Sequence, residues 1–197
     1  TNSHNSQDSQ QRYKKTKAIG AYALNNNTGE VIRYFAGAVI MASGGIGNLY
    51  LHTSNPELAT GDGIAMAYRV GAEIINSEYV QFHPTIFYHR DVRRFLITEA
   101  LRGEGAKLVN RKGEYFMPRY NKELADLAPR DEVARAIYKE MESDDSGFVF
   151  LDATQITEVS VKERFPLIYK TCMAVGLDIE KEPIPVVPAA HYFCGGI

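Results

Sequence analysis

Apolar positions recur along this chain with two different periods, and the places where the period changes mark its elements. Near the N-terminus, residues 17–24 and 30–35 are two short β-type runs joined by Asn25-Asn26-Asn27-Thr28-Gly29, which predicts a hairpin. Residues 36–42 are small or β-branched and predict a buried strand. From 64 to 70 the spacing turns helical, with Gly71 as its stop. Thr60 and Asp62 are residue types that can cap that helix by accepting its free N–H groups. Residues 78–82 predict a strand, and Pro84 holds His83 in an extended conformation. The apolar stretch 95–97 leads into one helical turn, Thr98-Glu99-Ala100-Leu101-Arg102, which Gly103 and Gly105 end. Residues 106–109 and 114–116 predict a second hairpin around Lys112-Gly113.

The clearest helix opens at Pro129, whose missing N–H costs nothing in a first turn. It runs from Arg130 to about Met141, with Val133, Ile137 and Met141 on one apolar stripe. Beyond it, 147–151 predicts a strand, and 158–165 and 167–175 predict helices divided at Pro166. Pro183, Pro185 and Pro188 hold the next stretch extended and deliver His191 to a defined place. The polar residues 1–11 read as a flexible loop.

Composition narrows the classes. The chain has 197 residues, 45% of them hydrophobic and 23% charged, as in ordinary globular proteins with one good core. A net charge of −2 gives no basis for a nucleic-acid or anionic-membrane partner. No apolar run approaches the ~20 residues of a membrane span. Cys172 and Cys194 are too far apart for a metal knuckle or a redox pair, so they read as free thiols in a reducing compartment, and no metal site is expected. A start at Thr1 and an end at Gly195-Gly196-Ile197 read as an internal fragment.

Several positions could carry chemistry. Asp131 and Glu132 suit the positive end of a helix dipole, whereas Arg130 does not. A cation there needs an anion to face, supplied either by a nearby carboxylate or by a ligand. His83, fixed beside a proline, can donate to a carboxylate or serve only packing. Glu99 and Arg102 share one helical face, as an ordinary ion pair or as part of a site. Ser43-Gly44-Gly45-Ile46-Gly47-Asn48 follows the predicted strand, where glycines let backbone N–H groups approach a phosphate or a flat cofactor, or simply make a tight turn. The dinucleotide fingerprint fails here: counted from Gly45, its last glycine is Tyr50. Asp62 is either a cap or an acceptor for a ligand hydroxyl.

Together these stretches form a set. Ala42-Ser43-Gly44-Gly45, Thr60-Gly61-Asp62-Gly63, Gln81-Phe82-His83-Pro84-Thr85, the run from Thr98 to Gly105, Ala128-Pro129-Arg130-Asp131 and His191-Tyr192 resemble, in order and spacing, the succinate dehydrogenase/fumarate reductase flavoprotein superfamily. The resemblance covers residues from about Ala36 to the end. Within the superfamily, the run from Leu127 to Arg135 and the run from Pro188 to Gly196 are most similar to the L-aspartate oxidase family.

The resemblance implies an α+β fold: a capping (substrate) domain of the fumarate reductase flavoprotein type, at 81–185, with adjoining parts of an α/β FAD-binding domain at 1–80 and 186–197. It implies oxidation of L-aspartate to iminoaspartate in de novo NAD (quinolinate) biosynthesis, with hydride transfer to FAD and dioxygen or fumarate as acceptor. Ser43, Gly44, Gly45 and Asp62 would lie against FAD. His83, Thr98 and His191 would hold the substrate carboxylates. Arg130 would act at the reacting carbon, with Glu99 and Arg102 as its proton relay. The implied partners are a small dicarboxylate (L-aspartate, or fumarate or succinate) and quinolinate synthase. The implied location is the cytoplasm, or the plastid in a plant or alga. The family's dinucleotide fingerprint and its C-terminal helical domain have no counterpart in these residues, so the chain is expected not to turn over L-aspartate by itself. Two alternatives stay open: a succinate dehydrogenase/fumarate reductase flavoprotein subunit, and a non-catalytic capping module.

Overall fold

A computed structural model of the chain describes residues 17–197, and the polar loop expected at 1–11 lies outside them. The first element is the expected hairpin, β1 (Gly20–Leu24) paired antiparallel with β2 (Val31–Phe35). Asn25 shapes its turn by accepting from the N–H groups of Asn27 and Thr28. Residues 36–42 correct the expectation of a buried strand: they form no strand and are exposed throughout. A strand needs neighbours to take up its N–H and C=O groups. Among the described residues no strand pairs with this segment, and only Ala36 N–H finds a backbone partner, the Ile19 carbonyl.

After a 3-10 turn at Gly47–Leu49 comes α1 (Asp62–Arg69). Its N-cap is Gly61, with φ +82°, and no side chain caps it. Neither Thr60 nor Asp62 is therefore the cap: Thr60 Oγ1 donates to the Leu58 carbonyl, and Asp62 lies in the first turn, where its charge suits the dipole. Then follow β3 (Val80–Phe87), α2 (Glu99–Gly103), β4 (Lys107–Val109), the short turn α3 (Met117–Tyr120), α4 (Arg130–Ser143) and β5 (Val149–Asp152). The last elements are α5 (Val161–Arg164), α6 (Pro166–Met173) and β6 (Ile184–Phe193).

The main sheet is antiparallel, in the order β3-β6-β5-β4. Val133 and Ile137, one helical turn apart on α4, are fully buried, and α4 packs on β3. They join Ile97, Leu101, Leu108, Phe116, Leu151 and Ile184 in one apolar core. Each such side chain contributes about 1.5–3 kcal/mol on burial. This core fixes where α2, α4, β3 and β6 meet.

Two irregularities in the β3–β6 ladder matter more than its regular part. Gln81 pairs with Tyr192 and Phe82 with Ala190, so His191 is an extra residue on β6. His83 pairs with Ala189 and Ile86 with Val187, so Pro84 and Thr85 together face Pro188. Prolines have no N–H for a ladder, and the pairing slips where two of them meet. Such bulges re-aim side chains. Here one bulge carries His191 and the other adjoins His83.

Candidate active site

His83 reaches the centre of the cluster from β3 and is 1% exposed. Its Nδ1 accepts from the N–H of Thr85 at 3.2 Å, an amide that the bulge at Pro84 and Thr85 leaves out of the β3–β6 ladder. Thr85 Oγ1 donates to the Ile97 carbonyl at 2.9 Å, which ties β3 to the segment entering α2. Burial pushes the His83 imidazole down to about 3, assisted by the Arg130, His191 and Arg102 charges and opposed by Glu99. His83 is therefore neutral at physiological pH. With Nδ1 accepting, its proton is on Nε2.

The His191 ring lies 5.4 Å from that of His83, centroid to centroid, at 68°. Burial, followed by the Arg130 charge, lowers its pKa as well. Residues 52–55 hold the backbone on which it sits: Ala190 N–H donates to the His52 carbonyl, and Asn55 Nδ2 donates to the His191 carbonyl at 2.7 Å.

Arg130, the first residue of α4, is half-buried. It donates from Nε to Glu99 Oε2 at 2.9 Å and from Nη1 to Gln81 Oε1 at 3.1 Å. The anion that the sequence demanded is thus present in the protein. The Arg130 hydrogen bond is the main reason the Glu99 carboxyl is held below the usual carboxylate range; burial opposes it and Arg102 adds to it. Arg102 is fully buried, with Nη2 3.8 Å from Glu99 Oε2 and Nη1 donating to the Asp126 carbonyl. Its Nε and Nη2 meet no hydrogen-bond acceptor among the described residues. The Asp126 carboxyl is turned away, accepting from Leu108 N–H and Tyr115 OH, and burial raises its pKa. Two guanidinium groups face Glu99, with Asp126 acting on Arg102 from the other side and two imidazoles alongside, which makes the site rich in N–H donors. Thr98 caps α2 by accepting from Ala100 N–H at 3.4 Å, which leaves its hydroxyl proton free to donate.

His191 also borders a second space, a cleft of about 610 Å³. Ser43, Gly44, Gly45, His191, Phe193 and Gly195 are among its lining residues. Its size is that of a small-molecule site. Gly44 has φ +78°, a left-handed conformation that favours glycine. A Cβ on Gly63 would stand 1.8 Å from Ser43 Oγ, so α1 packs its backbone directly onto the Ser43 segment. A wall of backbone and small residues suits a flat ring system. Asp62 does not line the cleft; it precedes Gly63 at the start of α1 and is exposed.

The structure therefore gathers His83, Glu99, Arg102, Arg130 and His191 around one region, with Thr98 beside Glu99 as the cap of α2 and also bordering a separate pocket with Phe95 and Phe165, and Ser43, Gly44 and Gly45 around a cleft that shares His191. Gln81, Thr85, Ser54 and Asn55 were not singled out from sequence. Gln81 was open to inference, because side chains two apart on a strand share a face with His83. Ser54 and Asn55 carry no local signal, since their partner lies 136 or more residues away. Among the described residues no group of three or more His, Cys, Asp or Glu could hold a metal ion. No helix among them is long and apolar enough to cross a membrane.

Residues 6–197 match the family described as FAD binding domain. The chain is 51% identical over 181 residues to L-aspartate oxidase of Pseudomonas aeruginosa, covering 92% of this chain and 34% of that one. It is 50% identical over 178 residues to L-aspartate oxidase 1 of Ralstonia nicotianae, covering 90% and 33%. In structure it superposes on an E. coli quinol fumarate reductase with a TM-score of 0.83 at 36% identity, covering 91% of this chain and 33% of the other. The chain thus spans about a third of the length of the curated relatives it matches.

Proposed function

The chain belongs to the FAD binding domain family, within the succinate dehydrogenase/fumarate reductase flavoprotein superfamily, and from that membership we propose that it carries the substrate site of an L-aspartate-oxidising flavoenzyme. The reaction is conversion of L-aspartate to iminoaspartate, with dioxygen or fumarate as the final acceptor. The single observation that carries this reading is the convergence of His83, His191, Arg102 and Arg130, an arrangement suited to a dicarboxylate, beside a glycine-walled cleft. The named relatives favour aspartate over succinate, since they are more similar to this chain than the fumarate reductase is.

The cleft fits a flavin. Ser43, Gly44 and Gly45 would hold it through backbone and hydroxyl; Asp62, outside the cleft, would accept only from a hydroxyl of a part of the cofactor that extends beyond it toward the start of α1. FAD, when bound, supplies the hydride acceptor. The substrate is a dianion in its carboxylates, so it needs donors in a water-poor cleft, where charge-assisted hydrogen bonds are strong. His83 Nε2–H, His191 and the Thr98 hydroxyl serve as those donors. Neutral imidazoles donate without adding charge, so the guanidinium groups set the electrostatics. Arg130 lies at the reacting carbon and, in the fumarate-reducing direction, would deliver the proton there. Glu99, hydrogen-bonded to Arg130 Nε, is the first relay group, and Arg102 the second. The 3.8 Å between Glu99 and Arg102 exceeds a hydrogen bond, so this second step requires one side chain to approach the other.

As further parts of the reading, residues 1–80 and 186–197 belong to the FAD-binding domain and 81–185 to the capping domain. Iminoaspartate is an imine prone to hydrolysis, which favours quinolinate synthase as the partner that consumes it. The exposed free thiol of Cys194 fits a reducing compartment, the cytoplasm or a plastid. The test is kcat/KM of the flavin-loaded enzyme for L-aspartate and for succinate. A preference for L-aspartate is expected. A preference for succinate would replace this reading with a succinate dehydrogenase/fumarate reductase flavoprotein, and activity on neither with a non-catalytic capping module.

A further inference from the structure

His191 has two ring nitrogens, and which one carries the proton decides whether it can donate to a carboxylate. Its Nδ1 lies 2.6 Å from Ser54 Oγ, and either atom could be the donor. The surrounding bonds decide. Ser54 Oγ has one other acceptor in reach, the Ala190 carbonyl at 3.4 Å. That carbonyl already accepts from Ser54 N–H at 3.0 Å and from Thr53 Oγ1 at 3.0 Å. A carbonyl oxygen has two lone pairs, and both are taken. The Ser54 hydroxyl proton is thereby directed to His191 Nδ1, which accepts it, and the imidazole proton resides on Nε2.

We propose that Ser54 is a positioning residue that fixes His191 as a neutral Nε2–H donor. His83 reaches the same tautomer by a different device, the Thr85 amide freed at the β3 bulge. Two neighbouring imidazoles, 5.4 Å apart, are thus set as donors without either being charged. Ser54 owes its place to a short splint. Thr53 pairs with Ala190 in a parallel bridge, Asn55 N–H donates to Thr53 Oγ1, and Asn55 Nδ2 holds the His191 carbonyl. The loop at 52–55 thus reads β6 at its bulge, where the ladder to β3 skips His191. The proposal rests on the dicarboxylate reading only for its consequence; the tautomer itself does not depend on it.

The test is imidazole ¹⁵N NMR of the full chain labelled at histidine, with and without succinate. In the wild type, His83 and His191 should both show an acceptor-type Nδ1 and a protonated Nε2. Ser54→Ala should move His191 toward a mixture of tautomers while His83 stays unchanged, since its lock is backbone. Ser54→Thr should restore the wild-type pattern. Ser54→Ala should also raise the succinate Kd about fivefold, the effect of one ordinary hydrogen bond. A wild-type His191 protonated on Nδ1 would overturn the proposal without any variant, and so would an unchanged His191 pattern in Ser54→Ala. A shift of His83 together with His191 would also overturn it, by showing a general loss of structure. If the tautomers are as expected but succinate does not bind the wild type, Ser54 keeps its role and the dicarboxylate reading fails instead.

Discussion

Replacing Arg130 by Gln separates a structural ion pair from a working one. The substitution removes the 2.9 Å bond to Glu99 and the 3.1 Å bond to Gln81. Both members of the ion pair are partly wet, with the side chains 32% and 41% exposed. A pair so placed contributes about 0.2–1 kcal/mol to stability, so the variant should lose no more than about 1 kcal/mol. A group that takes up or delivers a proton in the reaction is worth about a hundredfold or more in rate, which is about 2.7 kcal/mol. The two quantities therefore differ enough to be told apart. Urea unfolding gives the first, and turnover of L-aspartate per bound flavin the second. The pH dependence adds a check. Arg130 holds the Glu99 carboxyl below its ordinary value, and a lowered carboxylate pKa contributes stability that is present above the unfolded pKa and lost as pH falls through the folded one. The stability gap between wild type and Arg130→Gln should be full above about pH 5 and close below it. A loss above about 3 kcal/mol with turnover per folded molecule retained would refute the reasoning, leaving Arg130 as a structural anchor only.

Two other sites make independent predictions. His83, with its pKa pushed down to about 3, should show no imidazole titration by NMR between about pH 8 and pH 5, where an ordinary histidine titrates. Because its pKa is lowered, its contribution to stability is full above about 6.5 and declines as pH falls, and His83→Gln should flatten that slope in urea titrations. His83→Ala should weaken succinate binding by about 1.5–3 kcal/mol in calorimetry, and an unchanged affinity would contradict its role as a carboxylate donor. Gly63→Ala would ordinarily stabilise a helix by about 1 kcal/mol. Here the new Cβ would meet Ser43 Oγ at 1.8 Å and Ser43 Cβ at 2.6 Å, so the cleft wall must shift and retention of FAD, read from its visible absorbance, should fall.

What was legible in the sequence follows from how local its cause is. The hairpin turn at Asn25 and the α4 stripe through Val133 and Ile137 are set by neighbours within a few residues, and both stand as expected. Pro129 and Arg130 likewise marked the start of α4, and the unfavourable charge there pointed to an anion, which is Glu99. Residues 36–42 failed because a buried strand is defined by partners, and the pattern of apolar residues cannot supply them. Thr60 and Asp62 failed as caps because Gly61 takes the left-handed conformation at the N-cap and the chain turns without a side-chain bond. The structure sets the two candidate histidines side by side, but their tautomers are not readable from the sequence. Those depend on slips in the β3–β6 ladder and on Ser54, 137 residues from His191.

The proposed function requires that this cluster present L-aspartate to FAD. Anaerobic mixing of the flavin-loaded full-length protein, rather than these 197 residues alone, with L-aspartate, followed by flavin absorbance, is the test. Bleaching is expected in the wild type, slowed about a hundredfold or more in Arg130→Gln at saturating substrate. Bleaching of Arg130→Gln at the wild-type rate, or none in the wild type, would contradict it.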